Sequence, residues 1–175
     1  MSKAALGKIA AFWAVFVLFH YAYELFQHPA LTLISQTRET FLQHAKIGLF
    51  AFALVSGVEL ALRRRAVQQP GHARPHFNAL VWSRVIALLL LPWVMFILYY
   101  TGPAFYGRPM PSIPAEIVYA NIVLLAVAAT LVTLEHSMQR AELTRPARVL
   151  ILVLLLLAAA EMIVFTYRLP WAPFF

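Results

Sequence analysis

The sequence contains no cysteine and no aspartate. Without cysteine there are no disulfides, no thiolate metal ligands, no cysteine-held iron–sulfur cluster and no covalently attached haem. Without aspartate, all seven acidic residues are glutamates. Charge of either sign is scarce: charged residues make up 12% of 175, against roughly 25% in ordinary domains. No Walker glycine loop, dinucleotide fingerprint or nucleophile elbow occurs, so nucleotide-driven transport and hydrolase chemistry have no support. No internal repeat is visible either, which weakens an inverted-repeat transporter reading. The longest polar connection, residues 63–79, holds Arg63-Arg64-Arg65 and Pro70-Gly71 and has too little apolar content for a core. No soluble domain is expected.

What fills the chain is hydrocarbon. Hydrophobic residues reach 62%, and the mean hydropathy is positive. This composition predicts an integral membrane protein, in keeping with a bacterial inner (cytoplasmic) membrane. A bilayer core of about 30 Å needs roughly 20 helical residues. Five segments qualify, approximately 9–27, 41–62, 80–100, 114–136 and 147–167. The expected fold class is therefore all-α: a polytopic membrane helix bundle with five transmembrane helices in one domain, 1–175. The first segment follows Lys3 and Lys8 as a signal peptide would, but it runs on into His20, Tyr21 and Tyr23 without a small-residue cleavage site and reads as a retained anchor. Residues 101–113, with Gly102, Pro103, Gly107, Pro109 and Pro111, read as an irregular connection. Pro92 predicts a kink in the third segment.

The net charge of +7 does not point to nucleic acid, because the basic residues flank apolar segments instead of forming a stripe with aromatics. Lys3, Lys8, Arg63, Arg64, Arg65, Arg74, Arg84, Arg140, Arg145 and Arg148 fall on one side of a five-span chain. Arg38, Lys46, Arg108 and Arg168 fall on the other. That asymmetry predicts the N-terminus inside and the C-terminus outside.

Candidate chemistry begins where the first segment ends. His20, Glu24 and His28 recur at intervals of four, so at helical pitch they form one stripe, with Gln27 beside it. Ionisable groups inside a membrane are costly and mark functional sites. Two imidazoles and a carboxylate suit a divalent metal, although one helix rarely presents ligands eight residues apart to a single ion, so a third element is needed. His44 enters the second segment from the same side, with Gly48 one turn on to admit a neighbouring helix. Glu161 lies in the fifth segment at a depth similar to His20; a carboxyl left in hydrocarbon is held neutral by the cost of desolvating its charge. His20, Glu24, His44 and Glu161 are the cofactor-binding candidates, and His20, Glu24 and His28 the metal candidates. His20, His44 and Glu161 are expected to form one constellation.

The other polar residues have structural readings. Glu59 precedes Arg63 by four residues, the favourable helical order. Glu116 follows Pro114 at a helix start. Glu135-His136 marks an interfacial helix end, and His72 and His76 flank Arg74-Pro75 in a loop, without helical metal-ligand spacing. Tyr21, Tyr23, Tyr99, Tyr100, Tyr106, Tyr119, Tyr167 and Trp171 gather toward the outer interface as a membrane aromatic belt.

Three functional classes fit. The first is a subunit or binding module of a membrane assembly, with a membrane-protein partner or a second copy and the lipid bilayer around it. The second is a redox protein holding haem b or a quinone between His20 and His44. The third is a cation or proton carrier using the same groups. An enzyme acting alone has the least support. Reporter fusions test the topology: the loops at Arg65 and Glu142 should report inside, and Gly107 and the C-terminus outside. An inside-facing C-terminus would overturn the five-span arrangement.

Overall fold

The computed structural model describes residues 1–67, 77–107, 110–139 and 143–167. His72, Arg74, His76, Arg108, Arg140, Glu142, Arg168 and Trp171, named above, lie outside them. Among the described residues the chain is all-helical: α1 (Lys3–Phe26), a 3₁₀ helix (Pro29–Leu33), α2 (Phe41–Val67), α3 (Phe77–Tyr106), α4 (Ile113–Met138) and α5 (Arg145–Tyr167). Five of these helices are long and apolar enough to cross a membrane, as an integral membrane protein requires.

Local chemistry sets the ends. Ser2 caps α1 by accepting from the Ala5 amide at 3.2 Å, and Ser112 caps α4 from Ala115 at 3.4 Å, with Glu116 in that first turn. Gln27, at φ 48°, stops α1 in the left-handed conformation while its amide bonds the Tyr23 carbonyl at 2.8 Å.

The third helix differs from expectation: it continues through Gly102 and Pro103 to Tyr106, where an irregular connection was expected from 101. Proline removes the amide that would bond the carbonyl four residues earlier, here Tyr99. Tyr119 of α4 supplies the missing donor. Its hydroxyl donates to the Tyr99 and Leu98 carbonyls at 2.7 and 3.0 Å and accepts from the Gly102 amide at 3.0 Å. Only glycine allows this approach, since a Cβ on residue 102 would lie 2.5 Å from that hydroxyl.

The core lies among α1, α2, α3 and α4, with Phe12, Phe16, Phe52, Leu91, Val127 and Leu131 at its centre. Phe12 meets Phe52 edge to face at 5.5 Å between ring centroids. Gly48 admits α3, as a Cβ there would stand 3.1 Å from Leu91. The fifth helix is peripheral: Leu155, Ala159 and Met162 pack on Ala45, Leu49 and Leu88, while Leu150, Val153, Leu154 and Leu157 remain exposed.

One end of the bundle is closed by charge. Lys8 Nζ donates to Glu135 at 2.7 and 2.8 Å and to Glu59 at 2.8 Å, and Arg84 and Arg63 reach the other Glu59 oxygen at 2.9 and 2.8 Å. Glu135 was expected to mark an interface, and Lys8 and Arg84 to flank the spans. Instead their side chains are 3, 7 and 3% exposed and tie α1, α2, α3 and α4 together. The Glu59–Arg63 pair forms as expected, within this larger network. Removing one partner of a buried ion pair strands the other, at about 3 to 5 kcal/mol. Glu135→Gln should therefore destabilise the protein by about that much in a detergent unfolding titration, and pairing Glu135→Leu with Lys8→Met should recover a large part of the loss. Equal stability of Glu135→Gln and the unsubstituted chain would remove the network from the fold's supports.

Candidate metal centre

The opposite end of the bundle is built by the short passage from α1 to α2. Its anchor is Lys46, a wholly buried side chain in the second turn of α2. Its Nζ donates to the Thr32 carbonyl at 2.7 Å and to Thr166 Oγ1 of α5 at 2.9 Å. The Thr32 hydroxyl bonds the Pro29 carbonyl and the Tyr167 hydroxyl, both at 2.7 Å. Ser35 adds a second tether: its hydroxyl accepts from the Tyr23 amide at 3.1 Å and donates to the His20 carbonyl at 3.4 Å. These bonds press residues 32–36 against the end of α1 and bring Glu39 over the two histidines.

His20 of α1 and His44 of α2 lie side by side, ring centroids 5.1 Å apart, and Phe16 stacks beneath both at 6.3 and 6.4 Å. His44 Nε2 faces Glu39 Oε2 at 3.3 Å, and His20 Nε2 faces Glu39 Oε1 at 3.8 Å. One ligand atom from each of His20, Glu39 and His44 lies within 4.8 Å of the other two. Hydrogen bonds decide which nitrogens are free. A carbonyl only accepts, so the 2.8 Å contact of His44 Nδ1 with the Thr40 carbonyl puts a proton on Nδ1. His44 Nε2 is the ring nitrogen left to face the carboxylate.

His20 is fixed through Gln36. The Gln36 amide nitrogen lies 2.5 Å from Glu39 Oε1, which assigns it as N–H, and 3.1 Å from His20 Nε2. An amide nitrogen only donates, so His20 Nε2 accepts and its proton resides on Nδ1, which is buried without a partner. Gln36 Oε1 is likewise buried and unpartnered. His20 Nε2 and Glu39 Oε1 thus share the Gln36 NH₂ group as donor, and His44 Nε2 faces the other carboxylate oxygen. Glu39 is mostly exposed, which leaves one side of the cluster open. That side meets a polar cavity of about 560 Å³ lined by Tyr23, Glu24, Gln27, Gln36, Thr37, Arg38 and Glu39.

The residues singled out in sequence fall into two groups. His20 and His44 come together. Glu24 borders the cavity and makes no hydrogen bond or ion pair among the described residues, and His28 is led away because α1 ends at Phe26 and Gln27 turns the chain. The expected stripe of four-residue steps therefore breaks before its last member. His28 instead caps the 3₁₀ helix, its Nδ1 accepting from the Ala30 amide at 3.2 Å. Glu161 was expected to face protein beside His20. It is exposed on α5 and bonds neither histidine, because Met162 takes the inward position on that turn.

Glu39 is the member that sequence reasoning passed over. A lone glutamate in Thr37-Arg38-Glu39-Thr40 reads as a solvated loop residue, and its position five residues before His44 was the only available signal. Comparisons with protein families, with curated proteins and with solved structures found no match for the chain.

Proposed function

We propose that the chain is a small integral membrane binding module whose outer end holds one divalent transition-metal ion between His20, His44 and Glu39. The observation that carries this reading is the convergence of two imidazole acceptors and a carboxylate with one side open. Neutral imidazoles with a carboxylate select Zn(II), Fe(II) or Mn(II) over Mg(II) or Ca(II), and the lack of thiolates disfavours Cu(I). The His44 Nδ1–H bond to a backbone carbonyl is the support that metal-bound histidines ordinarily have. Haem fits less well, since axial imidazoles approach iron from opposite faces of a macrocycle, whereas these rings lie side by side over Phe16.

A through-going cation or proton path also has less support. His20 and Lys8 are 12 residues apart on α1, about 18 Å by helical rise, and Phe12, Phe16, Phe52 and Leu91 fill the space between. The experiment is equilibrium titration of the detergent-solubilised full chain with Zn(II), Fe(II) and Mn(II), with metal analysis of protein taken from its native membrane. One ion per chain is expected, and His20→Gln or His44→Gln should weaken binding roughly 100-fold or more, beyond the 10–100-fold typical of groups that merely orient a ligand. A stoichiometric ion retained by the double variant would place the metal elsewhere.

Glu161 supports an assembly in addition. Met162 beside it packs on Ala45 and Leu49, so Glu161 lies roughly 6 to 12 Å inside the Phe41 end of α2. A carboxyl at that depth needs a donor that lipid lacks. A second copy supplies one without any further group, because the same side chain facing its counterpart across a two-fold axis can hydrogen-bond to it. The absence of native cysteine makes the test clean: Leu157→Cys, one turn from Glu161, should oxidise in membranes to a species of twice the chain's mass. Adding Glu161→Leu should reduce that yield. No cross-link from Leu157→Cys, Val153→Cys or Val164→Cys would overturn pairing through α5.

A further inference from the structure

We propose that Gln36 is a carboxamide switch in this site: its NH₂ group closes the metal-free cluster, and its oxygen becomes the fourth ligand when the ion enters. The inference rests on the metal reading above and adds a residue type that sequence patterns for metal sites do not flag. Gln36 is 3% exposed, and its backbone neighbour Ser35 is tethered to α1, so the side chain has a fixed origin and little room. In the metal-free arrangement its amide nitrogen bridges His20 Nε2 at 3.1 Å and Glu39 Oε1. Those two acceptors are the ones a metal must capture.

The other end of the same amide is the unusual part. Gln36 Oε1 is buried with no hydrogen-bond partner, a costly condition for a carbonyl oxygen. A half-turn about the terminal torsion exchanges the amide oxygen and nitrogen almost in place, and this torsion is broad and two-fold. The exchange is forbidden without an ion, because it sets the oxygen against the Glu39 carboxylate. With a divalent cation between them the same exchange is favoured. Ligands about 2.0 to 2.2 Å from an ion lie roughly 3.0 to 3.6 Å from their neighbours, so an oxygen 3.1 Å from His20 Nε2 stands at ligand spacing from that nitrogen, while the exposed Glu39 carboxylate, 2.5 Å away, must draw back as the ion enters. The completed set is two imidazole nitrogens, one carboxylate and one amide oxygen, with further positions open toward the cavity beside Tyr23 and Arg38.

Two effects of Gln36 oppose each other and can be separated. As a plug alone, its removal would tighten metal binding; as a ligand, its removal weakens it. The test compares the full-length protein with Gln36→Leu and Gln36→Glu in detergent, using Zn(II) competition against a chromophoric chelator and the visible absorption of bound Co(II). Gln36→Leu should bind Zn(II) roughly 10- to 100-fold more weakly and change the Co(II) band shape as solvent replaces the amide. Gln36→Glu, which keeps an oxygen at the same reach and has no NH₂ group, should bind at least as tightly as the unsubstituted chain and so shows that the position tolerates substitution. Gln36→Leu binding as tightly as the unsubstituted chain or more tightly, with an unchanged Co(II) spectrum, would overturn the switch while leaving the three-residue site standing. If the unsubstituted chain takes up no ion, both fall.

Discussion

Hydrocarbon offers no hydrogen bonds, and that single constraint organises the polar residues of this chain. A polar group on one of the five long helices must find its partner within the protein, reach an end of the bundle, or meet another molecule. Each solution is present. Tyr119 restores the carbonyl that Pro103 leaves without a donor, and Lys46 disposes of two of its protons on Thr32 and Thr166. Lys8, Glu59, Arg63, Arg84 and Glu135 neutralise one another across four helices. Between the two ends Trp13 donates to Asn121 across α1 and α4 at 2.8 Å, and the aromatic packing of Phe12, Phe16 and Phe52 keeps the ends apart.

The helices were legible because hydropathy is a sum over neighbouring residues, and neighbours are what a sequence records. The expected segments 41–62 and 114–136 fall inside α2 and α4, and their ends follow from local capping and charge. Residues 101–106 were misread for the opposite reason. Gly102-Pro103 is locally a break, and the hydroxyl that mends it belongs to Tyr119 on another helix. Lys8 and Glu135 show the same limit: each looks like a flanking charge on its own segment, and only the packing of α1 on α4 turns them into a buried pair. Which helices meet is a property of distant residues, so no window along the chain contains it.

The candidate site was half legible on the same grounds. His20 and His44 stand out because an imidazole in an apolar segment is rare, and both lie near the same end. Glu39 and Gln36 do not stand out, because a loop with a glutamate and a glutamine is ordinary. Their importance comes from Ser35 and Lys46, which hold that loop against α1, and from Phe16, which levels the two rings so that both Nε2 atoms look the same way. His28 and Glu161 were overvalued because helical spacing was extended past Gln27 in one case, and because equal depth was taken for contact in the other.

The two polar ends differ in a way that bears on function more directly than any motif. At the Lys8 end, cations and carboxylates alternate and both carboxylates meet cationic donors, although Arg84 Nε is buried without a partner. At the His20 end two buried atoms are unmet: His20 Nδ1 and Gln36 Oε1 have no hydrogen-bond partner. The difference lies in the charge opposite each carboxylate: Glu59 and Glu135 meet lysine and arginine, whereas Glu39 meets two imidazoles and an amide. Bonds from Lys46, Ser35 and Thr32 hold that second cluster in place. A carboxylate and two imidazoles gathered by such a scaffold, with no lysine or arginine paired to Glu39 among the described residues, are the groups that the proposed ion would bring together.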